Sequence, residues 1–122
     1  MASAKKKILI VDDERAIAHA LELKLGIVGF ETATAPNGES ALQYLSKESV
    51  DLVLMDLIMP KMDGFSVLEQ MNREGIKTPV IILSNLSQQG DEKRAKDLGA
   101  KDFFIKSNIT LAEVVEYVKK IL

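Results

Sequence analysis

The stretch Asp51–Gly64, DLVLMDLIMPKMDG, decides the fold. Asp51–Asp56 (DLVLMD) reads as one strand, an apolar run whose four central residues, Leu52–Met55, stand unbroken between two acids. A strand exposed on one face would alternate; an unbroken run is the pattern of a strand covered on both faces, at the centre of a parallel sheet. Asp56 closes that run, a carboxylate set against residues that otherwise read as core. The MPKMDG segment (Met59–Gly64) then reads as a loop. Asp63 is placed to cap a helix carrying Val67, Leu68 and Met71.

The same unit recurs on both sides. Lys7–Val11 (KILIV) is the first strand, and Arg15–Val28 follows as a helix with Ile17, Leu21, Leu25 and Val28 at helical spacing and Gly29 as its stop. Phe30–Ala35 alternates and reads as a strand near an edge. Pro36–Gly38 is turn chemistry, and Ala41, Leu42 and Leu45 mark a short second helix. Thr78–Ser84 (TPVIILS) is a second fully covered strand, with Pro79 tolerable at its start. Ser87–Leu98 has helical composition but few apolar residues, chiefly Ala95 and Leu98, and ends at Gly99. Lys101–Lys106 (KDFFIK) is the last strand. Thr110 and Glu113 form a capping box for a closing helix whose stripe is Leu111, Val114, Val115, Val118 and Leu122. Strands and helices alternate throughout, which argues for an α/β sandwich with a parallel sheet and helices on both faces.

The composition sets bounds. The 122 residues suit one domain, with residues 1–5 expected as an N-terminal tail, residues 6–122 as the domain, and no room for a second. Sixteen lysines and arginines against 18 acids give a formal charge of −2, no bulk case for direct nucleic-acid or membrane binding. The absence of cysteine excludes disulfides and thiolate metal sites and fits a cytoplasmic location. No apolar run approaches the roughly 20 residues of a membrane helix, and the start, MASAKKK, lacks the apolar stretch of a secretory signal.

The strand ends carry the chemistry. The first strand closes on Asp12 and Asp13, the third on Asp56, the fourth on Ser84 and the fifth on Lys106. Open parallel sheets bind ligands outside the carboxyl ends of their strands, where strand order reverses. If the first and third strands are neighbours, Asp12, Asp13 and Asp56 share one crevice. Carboxylates packed together raise one another's pKa and call for a cation. All-oxygen ligands point to Mg²⁺ or a similar divalent ion rather than zinc. With Lys106 as a fixed cation and Ser84 as a hydroxyl donor, the set suits a phosphoryl group.

These residues, VDDE after the first strand, LMDLIMPKMDG after the third, Ser84 after the fourth and FFIK in the fifth, resemble the receiver (REC) domain of two-component response regulators, of the chemotaxis-receiver kind. The resemblance implies a flavodoxin-like (βα)5 doubly wound fold with strand order 2-1-3-4-5. It implies Asp56 as phosphoacceptor and Asp13, Asp56 and the Ile58 carbonyl as ligands of Mg²⁺ (or Mn²⁺), with Asp12 holding the metal through water. Ser84 and Lys106 would bind the phosphoryl oxygens, and Ser84 and Phe103 would form the switch. The implied reaction is phosphoryl transfer from a phosphohistidine, on a sensor histidine kinase or phosphotransfer protein, to Asp56, followed by slow autodephosphorylation. It makes the chain a phosphoprotein of a signal-transducing phosphorelay and an enzyme only in catalysing its own modification. Output would pass to a downstream effector, or to a second copy in a homodimer, through the face of the fourth helix, fifth strand and fifth helix.

Other readings compete. Asp12 and Asp13 could simply cap the first helix. A phosphatase of the haloacid dehalogenase type wants D-x-D after its first strand, where this chain offers Asp12 and Glu14. A pseudo-receiver would bind partners without phosphorylation, against which the full acid, hydroxyl and lysine set argues. No P-loop motif is present. His19 is expected at the surface, and Phe104, opposite in direction to Phe103, as plain core. The chain departs from the family pattern at Ser107, where proline is usual, and at Asn85, where a small residue is usual and access to Asp56 could narrow. Ile58 and Leu86 are apolar and offer nothing to orient an attacking water, so a long-lived phosphoryl-aspartate is expected.

Overall fold

The computed structural model describes residues 5–85 and 90–122. Five strands, β1 (Lys7–Val11), β2 (Glu31–Ala35), β3 (Leu52–Met55), β4 (Val80–Ser84) and β5 (Asp102–Ile105), form one parallel sheet in the order β2-β1-β3-β4-β5. Between and after them run α1 (Arg15–Ile27), α2 (Gly38–Lys47), α3 (Gly64–Glu74), α4 (Asp91–Asp97) and α5 (Leu111–Ile121).

Side chains alternate across each strand, so the continuous apolar runs feed two cores. Leu9, Val11, Val53, Met55, Val80, Ile82 and Phe103 pack with α2, α3 and Ala95 of α4. Ile8, Ile10, Leu52, Leu54, Ile81 and Leu83 pack with Leu21 and Leu25 of α1 and with Val114, Val115 and Val118 of α5. All four residues of β3 are buried. Full burial of an aliphatic side chain contributes about 1.5–3 kcal/mol, so this central strand anchors the sheet.

The helices start where their caps lie. Asn37 and Asp63 accept the Ser40 and Ser66 N–H groups, and Thr110 with Glu113 closes the capping box of α5. Gly75, in the left-handed region at φ 70°, ends α3. Gly64 is held by space: a Cβ there would lie 2.6 Å from the Asp56 carbonyl oxygen.

The strands are shorter than the apolar pattern suggests. Asp51, Asp56, Thr78, Pro79 and Phe30 fall outside them. Lys106 does too: the last β4–β5 register pair is Ser84 with Ile105, so Lys106 has no strand neighbour and starts a 3₁₀ turn, Lys106–Asn108. Phe104 is half-buried rather than plain core, because β5 is an edge strand and its ring packs edge-on against Tyr117 of α5, 5.1 Å between centroids. The Tyr117 hydroxyl donates to Asp102, which holds its pKa above the usual tyrosine range. The fourth helix is described from Asp91, and Ala95 is its buried residue; the Ser87–Gln89 part of the expected helix, and Leu86, lie outside the described residues. His19 is exposed, as expected. No helix among the described residues is long and apolar enough to cross a membrane.

Candidate functional site

β1 and β3 are neighbours although β2 lies between them in sequence, so the chain reverses direction across the sheet at this point. Val11 pairs with Met55, which puts the next residues, Asp12 and Asp56, side by side at the carboxyl edge. The Asp56 N–H donates to the Val11 carbonyl at 2.9 Å, and the Asp12 N–H to the Ala35 carbonyl at 3.1 Å. Both acids are thus fixed by sheet hydrogen bonds and both are buried, whereas Asp13 is exposed. Carboxylate oxygens of Asp12, Asp13 and Asp56 all lie within 4.8 Å of one another.

The Asp56 carboxylate is gripped from two sides. Its Oδ1 accepts from the Ser84 hydroxyl at 2.6 Å and the Ile58 N–H at 3.2 Å. Its Oδ2 accepts from the Lys106 ammonium at 2.9 Å. The same ammonium lies 2.9 Å from Asp12 Oδ2 and 3.7 Å from Glu14 Oε1. The Lys106 side chain is only 8% exposed, so these contacts are little screened. Burial works against its charge, but the hydrogen bonds to Asp12 and Asp56 outweigh burial and hold its pKa above the usual lysine value. Burial pushes the Asp12 carboxyl above its ordinary value, with Lys106 and the Glu14 N–H pulling the other way.

Neither acid after β1 acts as a side-chain cap for α1. Glu14 occupies the N-cap position without a side-chain cap bond, and Asp12 Oδ1 instead accepts the Glu14 N–H at 2.9 Å. The donor set is all oxygen, without thiolate or imidazole, which fits Mg²⁺ or Mn²⁺. One ammonium faces the carboxylates of Asp12, Asp56 and Glu14, with Asp13 beside them, leaving an excess of negative charge for a divalent ion to neutralise. Asp13, Glu14, Asp56, Ile58, Ser84, Asn85 and Lys106 line a small open cleft.

Phe103 is buried among the α2–α4 core residues, while Ser84 already reaches Asp56. The backbone contains no cis peptide among the described residues, so Lys106–Ser107 is trans. Two contacts escape a reading of the sequence. Glu14 approaches Lys106, and the Asn85 side-chain oxygen accepts the Ser107 N–H at 3.1 Å. The two departures from the resemblance, Asn85 and Ser107, touch each other.

A family model for the response regulator receiver domain matches residues 8–119. The chain is 42% identical over 106 residues to the probable transcriptional regulator ycf27 of Pyropia yezoensis, covering 87% of this chain and 43% of that protein. It is 38% identical over 100 residues to the transcriptional regulatory protein DltR of Streptococcus agalactiae, covering 82% and 45%. It therefore spans less than half the length of these curated relatives. Among solved structures, the receiver domain of the Francisella response regulator 1452 superposes with a TM-score of 0.89 at 30% identity, covering 96% of both chains. The response regulator TrrA of Thermotoga maritima, in complex with Mg²⁺-BeF, gives 0.83 at 33% identity, covering 96% and 99%. The haloacid dehalogenase alternative finds no support in these likenesses.

Proposed function

Because this chain belongs to the family of response regulator receiver domains, we propose that Asp56 is its phosphoacceptor and that Ser84 and Lys106 are the groups that receive the phosphoryl oxygens. It is a signalling domain of a two-component system; receiver domains accept phosphoryl groups from histidine kinases and regulate an effector. One observation carries the assignment: a hydroxyl and an ammonium, from two different strand ends, donate to opposite oxygens of one buried carboxylate.

In the transfer, an Asp56 oxygen forms a bond to phosphorus as the P–N bond of phosphohistidine breaks, and the electron pair returns to the imidazole. Lys106 follows the charge onto an equatorial phosphoryl oxygen, and the Ser84 hydroxyl donates to another. The Ile58 N–H steadies the carboxylate during attack. A divalent ion, Mg²⁺ or Mn²⁺, would supply positive charge against the crowded acids. Asp13, Asp56 and the Ile58 carbonyl would hold it, with Asp12 acting through water. The Mg²⁺-BeF complex of TrrA supports that ligand class. The acyl phosphate ends when water attacks phosphorus and the Asp56 carboxylate departs.

Ser84 and Phe103 would couple this site to the α4-β5-α5 face, which would bind an effector or a second phosphorylated copy. The transcription-regulator names of the two relatives support control of transcription as the output. Intact-mass measurement after incubation with acetyl phosphate and Mg²⁺ tests the reading. The chain should gain one phosphoryl group and Asp56→Asn should gain none. No gain in the native chain, or equal gain in the variant, would overturn it.

A further inference from the structure

Lys106 and Ser84 stand at the ends of adjacent strands, and the residue after each reaches for the other. Asn85 follows Ser84, Ser107 follows Lys106, and the Ser107 N–H donates to Asn85 Oδ1 at 3.1 Å. Ser107 lies in the 3₁₀ turn Lys106–Asn108, whose flanking residue Ile105 makes no side-chain cap bond. An N–H at the start of such a turn has no partner within the turn. Asn85 supplies one. A proline at position 107 would have no N–H to offer, so an amide acceptor at 85 is useful only beside a residue such as serine at 107.

We propose that Asn85 is a positioning residue: its bond to the Ser107 amide clasps the two strand ends and sets the spacing of Ser84 Oγ and Lys106 Nζ across Asp56. This deepens the assignment of Asp56, Ser84 and Lys106 above and rests on it. The contacts on Asp56 are short, 2.6 and 2.9 Å, and come separately from the last residue of β4 and from the 3₁₀ turn that follows β5. Among the described residues, the β4–β5 register ends at the Ser84–Ile105 pair. The clasp continues the connection one residue further, at the position where the two donors must keep station as the carboxylate becomes a larger phosphoryl group. In this role a polar pair does what a ring-locked backbone would do in a chain with proline there.

The test is a double-mutant cycle on the full chain, with Asn85→Ala, Ser107→Pro and the pair combined. Two readouts are used: hydrogen exchange of the Ser107 amide, and the rate of phosphorylation by acetyl phosphate with Mg²⁺. Asn85→Ala should speed Ser107 amide exchange and slow phosphorylation, each by about threefold to tenfold, the range for one lost hydrogen bond. In the Ser107→Pro background, Asn85→Ala should add nothing to the loss in rate. Asn85→Asp retains an acceptor oxygen and should keep the Ser107 amide protected. Unchanged exchange in Asn85→Ala, unchanged or faster phosphorylation, or additive effects in the cycle would overturn the proposal. The exchange arm needs no phosphorylation, so a failure of the Asp56 assignment would show in the mass measurement while the clasp is judged on the amide.

Discussion

Replacing Lys106 with methionine keeps most of the aliphatic volume and removes the charge that bridges Asp12 and Asp56. Both contacts are 2.9 Å, and the two acid side chains are 4% and 7% exposed. With acid oxygens up to 4.8 Å apart, two unit charges at an effective dielectric of about 20 repel by roughly 3.5 kcal/mol. Asp13 is exposed and adds little more, because water screens it. Breaking a buried pair on one side costs about 3–5 kcal/mol. The open cleft places this case at the lower end, about 3 kcal/mol, or roughly 10 °C in Tm for a chain of this size. The pH dependence has a definite sign. Burial already raises the Asp12 pKa, and losing Lys106 removes a group that lowers it. The native variant then holds more protons than its unfolded chain above the ordinary carboxylate pKa, so its stability falls as pH rises and recovers as pH falls. Urea denaturation of both proteins at pH 7 and pH 5 measures this, and Mg²⁺ at neutral pH should restore the variant more than the native chain. An equal loss at both pH values, unmoved by Mg²⁺, would refute the electrostatic reasoning and leave Lys106 with a packing role.

Gly64→Ala should destabilise the fold by about 1–3 kcal/mol and slow phosphorylation, because the new Cβ would meet the Asp56 carbonyl oxygen at 2.6 Å and Leu57 Cα at 2.9 Å, backbone atoms that no rotamer change relieves; thermal melts and the acetyl phosphate rate check both effects. Ile58→Asn should shorten the phosphoryl-aspartate lifetime by roughly twofold to tenfold, since Ile58 is 58% exposed at the cleft and an amide there can hold an attacking water; decay of the phosphorylated mass after removal of the donor gives the lifetime.

Much of this molecule is local, and local patterns are written directly in the chain. Asp51–Asp56 and Thr78–Ser84 read as buried strands because each is covered from two sides, and buried strands lie within them at Leu52–Met55 and Val80–Ser84. Thr110 and Glu113 announce a capping box because its bonds span three residues, and Asp63 announces the start of α3 for the same reason. The acids at 12, 13 and 56 were legible as one group once β1 and β3 were taken as neighbours. That adjacency came from the family likeness, since a pattern of alternating strands and helices is the same for any strand order. What tertiary structure alone decided is how long-range partners meet. Ser84 and Lys106 take opposite oxygens of Asp56, Phe104 is left half-covered at the sheet edge, and Asn85 finds the Ser107 amide. These pairs lie tens of residues apart, and their separation depends on strand register and on where each strand stops. Composition and periodicity say which side chains are buried; only the register of the folded sheet says which atoms come within bonding distance.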